Sequence, residues 1–204
     1  MTELELQCFL RSVPNDKFRL LFKYQAFLGL RIGEVCKLQI GKIDFKKREL
    51  TIFSKKRQKP DRMIIPHESY LDTIEFIKLN ISTIKISDNY IFFKGHGGHS
   101  TEVHIDANYT RKIFKQVILK AGLDSTYAYA DETTRKIRPR ALHRLTTHSL
   151  RHYAITRSSG SSNGNIVLTS RYSRHSNPST TIRHVSKDQA ELYRGIELAF
   201  ADKL

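Results

Sequence analysis

Cysteine is scarce in this 204-residue chain, where Cys8 and Cys36 are the only two. They cannot build a disulfide framework, and their spacing is not that of a metal site, so buried free thiols are expected. No apolar run reaches the ~18 to 20 residues that a bilayer span requires, and no leader-type apolar segment follows Met1. A soluble, intracellular protein with no membrane partner is therefore expected. Acidic residues are missing altogether from Thr133 to Lys187, a span that holds 11 Lys and Arg. Over the whole chain 35 Lys and Arg face 20 Asp and Glu, leaving +15 and a sequence pI near 9.9. A field of one sign favours a polyanion, because each neutralised phosphate releases condensed counterions. A solvated basic surface or an RNA-binding tail would give similar counts. A tail, however, would lack the apolar periodicity found here, and 39% apolar with 27% charged residues is a globular composition.

The chain reads as one domain over 1–204, mixed α and β and mainly helical, with no internal repeat. Thr2 and Glu5 have the spacing of a capping box, so a first helix runs to about Ser12, where Pro14 and Asn15 break it. Phe18, Leu21, Phe22, Ala26 and Leu30 mark a second helix, and a third covers about Gly33 to Leu38. IDFKKRELTIF and RMIIP read as short strands with SKKRQKPD between them as a basic turn. Helices are predicted over Tyr70 to Leu79, Tyr109 to Ala121, His148 to about Arg157, Asn165 to Tyr172 and Lys187 to Phe200. Gly122 to Leu145 lacks clear periodicity and reads as loop, and SSGSSNG (Ser158 to Gly164) as a turn.

Three segments carry chemistry. GLRIGE (Gly29 to Glu34) sets an arginine at the junction of two helices. HSLRH (His148 to His152) places His148 and Arg151 three apart, on one helical face. RHSNPSTTIRH (Arg174 to His184) is the third. Singly each is weak, since Arg31 could simply pair with Glu34 and His148 could be an ordinary helix-start residue. His96, His99 and His104 have a loose metal-like spacing, but the glycines of KGHGGH favour a surface turn, and no metal ligand set is assigned.

Taken in order, the segments resemble the tyrosine recombinase (phage integrase) family, over roughly Thr2 to Phe200. FLGLRIGEVCKL is similar to the family's T-G-L-R-x-x-E-x-x-x-L segment, with Leu28 in place of the usual Thr. KIDFKKRELTIFSKKRQKPDRMIIP matches its strand, basic hairpin and V-P strand, and HSLRH its H-x-L-R-H box. SRHSNPSTTIRH stands for L-G-H-S…T-T-x-x-Y, departing at the first two residues and the last. The resemblance implies the catalytic-domain fold with a small antiparallel sheet, and double-stranded DNA as the partner. It implies DNA breakage and rejoining through a covalent 3′-phosphoryl protein link, in integration, excision or chromosome resolution, with neither metal nor ATP required. Arg31 and Arg151 would hold the non-bridging oxygens of the scissile phosphate, where two guanidinium forks suit developing negative charge. His148 and His175 would donate hydrogen bonds or assist proton transfer. Lys55 aligns best as the acid for the departing 5′ oxygen, with Lys56 and Lys59 as alternatives. Glu34 would orient its neighbours in the site. Lys56, Arg57, Lys59, Arg144, Arg174 and Arg183 are expected to touch DNA.

The family's attacking tyrosine falls about nine residues after the histidine of its Gly-His pair, which from His175 reaches His184. A register one longer reaches Val185, and neither residue is tyrosine. A disabled catalytic domain, attack by Tyr193 and attack by His184 itself are the explanations. Tyr193 has the rival role of packing with Leu192 and Ile196. The N-terminal helical domain common in the family is not found before the resemblance begins, which suits either a truncated chain or a small stand-alone recombinase. Leu192, Ile196 and Phe200 form an apolar stripe on the final helix, fit for self-association on DNA or for packing within the chain. A non-catalytic DNA-binding relative and a topoisomerase-like activity are the alternative functions. A DNA-associated place in the cytoplasm of a bacterial, archaeal or viral system follows from the resemblance.

Overall fold

Thr2 and Glu5 close the expected capping box, with Glu5 N–H donating to the Thr2 hydroxyl at 3.2 Å and Thr2 N–H to the Glu5 carboxylate at 2.8 Å. The computed structural model describes residues 1–54, 59–95, 103–130, 140–161 and 165–174. Helix α1 (Glu3–Ser12) ends at Val13, and Asn15 caps α2 (Asp16–Leu28) by accepting from Phe18 N–H at 3.0 Å. Then come α3 (Ile32–Cys36), strands β1 (Ile43–Asp44), β2 (Glu49–Ser54) and β3 (Lys59–Ile64), α4 (His67–Ile86) and α5 (Ala107–Lys120). Strands β4 (Thr126–Ala130) and β5 (Arg140–His143) precede α6 (Thr147–Ser161) and α7 (Ile166–Ser173). The fold is thus mainly helical with a small antiparallel sheet of order β1-β2-β3. Two compact units divide the chain, Met1–Ala154 and Ile155–Leu204, the division falling within α6.

In the first unit the core forms where α1, α2 and α5 meet. Phe9, Phe22 and Phe114 sit with ring centroids 4.9 to 5.8 Å apart, all three at most 3% exposed. Each buried ring is worth roughly 1.5–3 kcal/mol, so this trio outweighs any surface ion pair of the fold. Between α2 and α4, the Tyr24 and Thr73 hydroxyls are 2.8 Å apart and Thr73 donates to the Ser69 carbonyl, so the buried polar atoms are satisfied. Burial pushes the Tyr24 phenol up to about 12. In the sheet, register sets Leu50 opposite both Ile43 and Met63, placing these side chains on the covered face. Cys36 is a buried free thiol pushed up to about 11 by burial, whereas Cys8 is only half-buried.

Four elements differ from the sequence reading. Leu30 is buried but lies outside α2, because the chain turns at Gly29. Helix α4 runs seven residues past Leu79, through the β-branched stretch ISTIKI, because Ile84 is fully buried and continues the stripe of Ser69, Thr73, Phe76 and Ile77. Packing there overrides weak propensity. Part of the expected loop over Gly122 to Leu145 is the β4–β5 hairpin, whose short strands and bulge between Thr126 and Ala128 leave no legible alternation. Helix α6 continues through Ser158 to Ser161, since Ile155 and Ser159 lie one turn apart on its buried side. Among the described residues no helix is long and apolar enough to cross a membrane.

The acidic first turn of α1 reaches distant partners. Glu5 pairs with Arg144, which also donates to the Ser125 hydroxyl at 3.2 Å, and Glu3 accepts from the Tyr153 hydroxyl. The Arg144 hydrogen bond holds the Glu5 carboxyl below its ordinary 4.5, against the opposing effect of burial. A carboxyl more acidic folded than unfolded stabilises the fold above its unfolded value, and that contribution disappears as pH falls through the folded one. Glu5→Gln should therefore flatten the acid limb of stability below about pH 4.5 and cost less than ~1 kcal/mol at neutral pH. Urea denaturation at stepped pH checks this; an unchanged acid limb would show that the pair carries no pH-linked stability.

Candidate active site

Helix α2 stops at Gly29, whose φ of 59° and ψ of 29° are left-handed. Glycine enters that region without the cost of ~1–2 kcal/mol that a Cβ imposes. The turn buries Leu30 and leaves Arg31 in extended conformation as the residue before α3. Glu34 accepts from the Arg31 N–H at 2.7 Å and from its guanidinium at 3.1 Å. Arg31 keeps half of its side-chain surface exposed while Glu34 keeps 17%. The pairing of Arg31 with Glu34 thus exists, and it fixes the base of a side chain whose length still borders a cavity.

The HSLRH segment opens α6, where Thr146 N–H donates to the Ser149 hydroxyl at 3.0 Å at the helix start. His148 is exposed, with the His152 ring edge-on at 4.6 Å. Arg151, three residues on, is 1% exposed and the bulkiest of the nearly fully buried side chains among the described residues. Burying a charge costs several kcal/mol unless it is hydrogen-bonded. Arg151 Nη1 donates to the Gly29 carbonyl, so the backbone oxygen exposed by the left-handed turn anchors the second arginine.

Arg31, His148 and Arg151 line one cavity of about 550 Å³. Helix α5 contributes Arg111 and Lys115 to the same wall, and the hairpin end contributes Asp124 and His143, with His143 Nδ1 2.9 Å from the Asp124 carboxylate. Arg31, Arg111, Lys115 and Arg151 make four formal cations among the lining residues against one carboxylate, Asp124. Such a pocket favours an anion. Sequence reading missed Arg111, Lys115, Asp124 and His143. The i, i+4 spacing of the first two was legible as a basic helical face, but nothing local tied that face to the arginines.

The remaining expected residues fall elsewhere. Arg144 is bound to Glu5. Arg174 follows α7 in the second unit with φ 53° and is buried, 4% exposed. Lys59 is the first residue of β3. Lys55, Lys56, Arg57, His175, Arg183, His184, Tyr193 and the final apolar stripe lie outside the described residues, as do His96 and His99. His104 sits within hydrogen-bonding distance of the Ile105 carbonyl, at 3.0 Å, and lies edge-on to Tyr90. Among the described residues no group of three His, Cys, Asp or Glu side chains could hold a metal ion.

The pattern described by "Phage integrase family" matches residues 8–191 of the sequence, nearly the whole of it. The chain belongs to the phage integrase family. Solved recombinases share the fold of this integrase-family chain. A XerA recombinase superposes with a TM-score of 0.72 at 19% identity, covering 100% of this chain and 66% of that one. A XerH site-specific recombinase bound to palindromic difH substrate, in a post-cleavage complex, gives 0.72 at 18% identity, with 97% and 51% covered. The integrase of the Tn1549 transposon, in complex with transposon right end DNA, gives 0.70 at 17% identity, with 98% and 65% covered. The chain thus spans about half to two thirds of the length of these structures. No curated protein matches the sequence.

Replacing Gly29 tests the link between the two arginine segments. Gly29→Ala should destabilise the protein by about 1–2 kcal/mol, read by chemical denaturation, because a Cβ is strained at φ 59°. A neutral result would mean that the turn relaxes without moving the Arg151 anchor.

Proposed function

We propose that this integrase-family chain binds double-stranded DNA and carries the phosphodiester site of a site-specific recombinase. The observation that supports it most is the convergence of Arg31, His148 and Arg151, far apart in sequence, on one cation-rich cavity. In this reading the Arg31 and Arg151 forks hold the non-bridging oxygens of the scissile phosphate, where charge grows in the transition state. His148 and His175 donate to the same group or move a proton. Glu34 positions Arg31 through its two hydrogen bonds. In the family reaction a nucleophile's oxygen attacks phosphorus and the P–O5′ bond breaks. The 5′ oxygen leaves with a proton from Lys55, or from Lys56 or Lys59, and the 3′-phosphoryl group stays on the protein until a 5′ hydroxyl reverses the step. The bond energy is kept in that link, so the cycle needs no external energy source. Lys56, Arg57, Lys59, Arg144 and Arg183 are assigned to flanking phosphates. Arg144 would exchange its Glu5 partner for one. The Leu192, Ile196 and Phe200 stripe is assigned to self-association on DNA.

The nucleophile is the departure. By the resemblance the tyrosine of the family falls at His184, a replacement that would disable strand cleavage while keeping the phosphate-holding groups. That substitution also favours a second reading, a non-catalytic relative that occupies recombination sites beside an active partner. Incubation with a nicked suicide duplex, run in parallel on a denaturing and a native gel, separates the two. A covalent adduct identifies an active enzyme, with Tyr193 or His184 as its attacking group, whereas retarded DNA without adduct identifies the binder. Under this proposal His184→Tyr creates or raises the adduct, and continued inactivity on the suicide substrate would count against the alignment. Arg31→Ala should weaken duplex binding about tenfold, the loss expected for one charge-assisted contact, as measured by fluorescence anisotropy at fixed salt.

A further inference from the structure

The Asp124–His143 pair belongs to the part of the cavity wall that the family motif does not claim. His143 closes β5 opposite Thr126 in the hairpin register, and Arg144 N–H donates to the Ser125 carbonyl at 2.9 Å, so the hairpin end is tied directly before α6. That tie holds Asp124 and His143 side by side, 2.9 Å apart, each a little over one quarter exposed. Both border the cavity that contains Arg31, His148 and Arg151. A carboxylate on Nδ1 fixes an imidazole's tautomer and orientation and takes the Nδ1 proton as its hydrogen bond. Nε2 is then the ring nitrogen directed at a ligand, as acceptor when neutral and as N–H donor when charged. Asp124 is also the only carboxylate among the described lining residues, and it is committed to His143. It therefore serves to position the imidazole at the cavity wall. On α5, Arg111 and Lys115 stand at i and i+4, where like charges repel. A wall that gathers cations at such a cost suits an anionic occupant.

We propose that His143, aimed by Asp124, is a further phosphate-binding residue of this cavity, its Nε2 donating to a phosphate oxygen of the bound DNA. The inference rests on the reading of the cavity as the DNA phosphate site, and its test separates the two. Duplex affinity is measured for the parent chain, Arg31→Ala, His143→Gln and Asp124→Asn, each variant first shown to keep the parent's circular dichroism and melting behaviour. His143→Gln keeps a polar side chain of similar reach at a site about one quarter exposed, and Asp124→Asn removes the charge while leaving the imidazole in the chain. Side-chain nitrogen NMR of the parent records whether the His143 Nε2 signal moves when duplex is added, a response that a purely structural histidine would not give.

The expected result is a loss of about three- to tenfold in His143→Gln, a smaller loss in Asp124→Asn, and a DNA-dependent shift at Nε2. A loss in Arg31→Ala with none in His143→Gln and no Nε2 shift overturns this inference and leaves the phosphate cavity standing. No loss in Arg31→Ala, whatever His143→Gln does, overturns the cavity reading itself.

Discussion

A buried guanidinium organises this protein. Arg151 is almost wholly withdrawn from water, and the hydration it gives up must be replaced by hydrogen bonds from the fold. One comes from the carbonyl of Gly29, which is available only because α2 ends there in a left-handed turn. The same turn delivers Arg31 to the start of α3, where Glu34 takes hold of both its backbone N–H and its guanidinium. One backbone conformation thus terminates a helix, anchors one arginine and launches the other. An arginine pair built this way depends on α2 and α6 staying in place, and the aromatic cluster of Phe9, Phe22 and Phe114 fixes α2 and α5 around the cavity.

Acidic side chains are placed sparingly and with consequence. In a chain of net charge +15, carboxylates near a phosphate site would compete with the ligand. Glu3 and Glu5 instead serve the first turn of α1, where they suit the positive end of the helix and tie Tyr153 and Arg144 from beyond the hairpin. Glu34 and Asp124 are each committed to a neighbouring base. The acids near the site are therefore oriented towards positioning cations and away from neutralising them.

Much of the fold was legible along the chain. Capping by Thr2 and Glu5, the break at Pro14 and Asn15, the helical spacing in α2 and α5 and the strand pattern around β2 and β3 are local signals, and the structure follows them. What was missed has tertiary causes. Helix α4 is long because Ile84 finds a buried place, α6 runs on because Ser159 does, and β4 and β5 exist because they pair with each other. In the candidate site, Arg31, His148 and Arg151 were legible as a family motif. Arg111, Lys115, Asp124 and His143 were not, since no spacing within one element marks them.

By itself the sequence determined the charge of the protein, its family and the residue types offered to a phosphate, because these are properties of composition and of order along the chain. It also offers a histidine, His184, nine positions after His175. Only the tertiary structure decided that Arg31 and Arg151, 120 positions apart, share one cavity. It alone decided that Arg174 is buried and that His143 stands against Asp124 beside the two arginines. The physical reason is that burial and proximity are set by packing between elements. Spacing along one helix or strand carries no record of which other element will lie across from it.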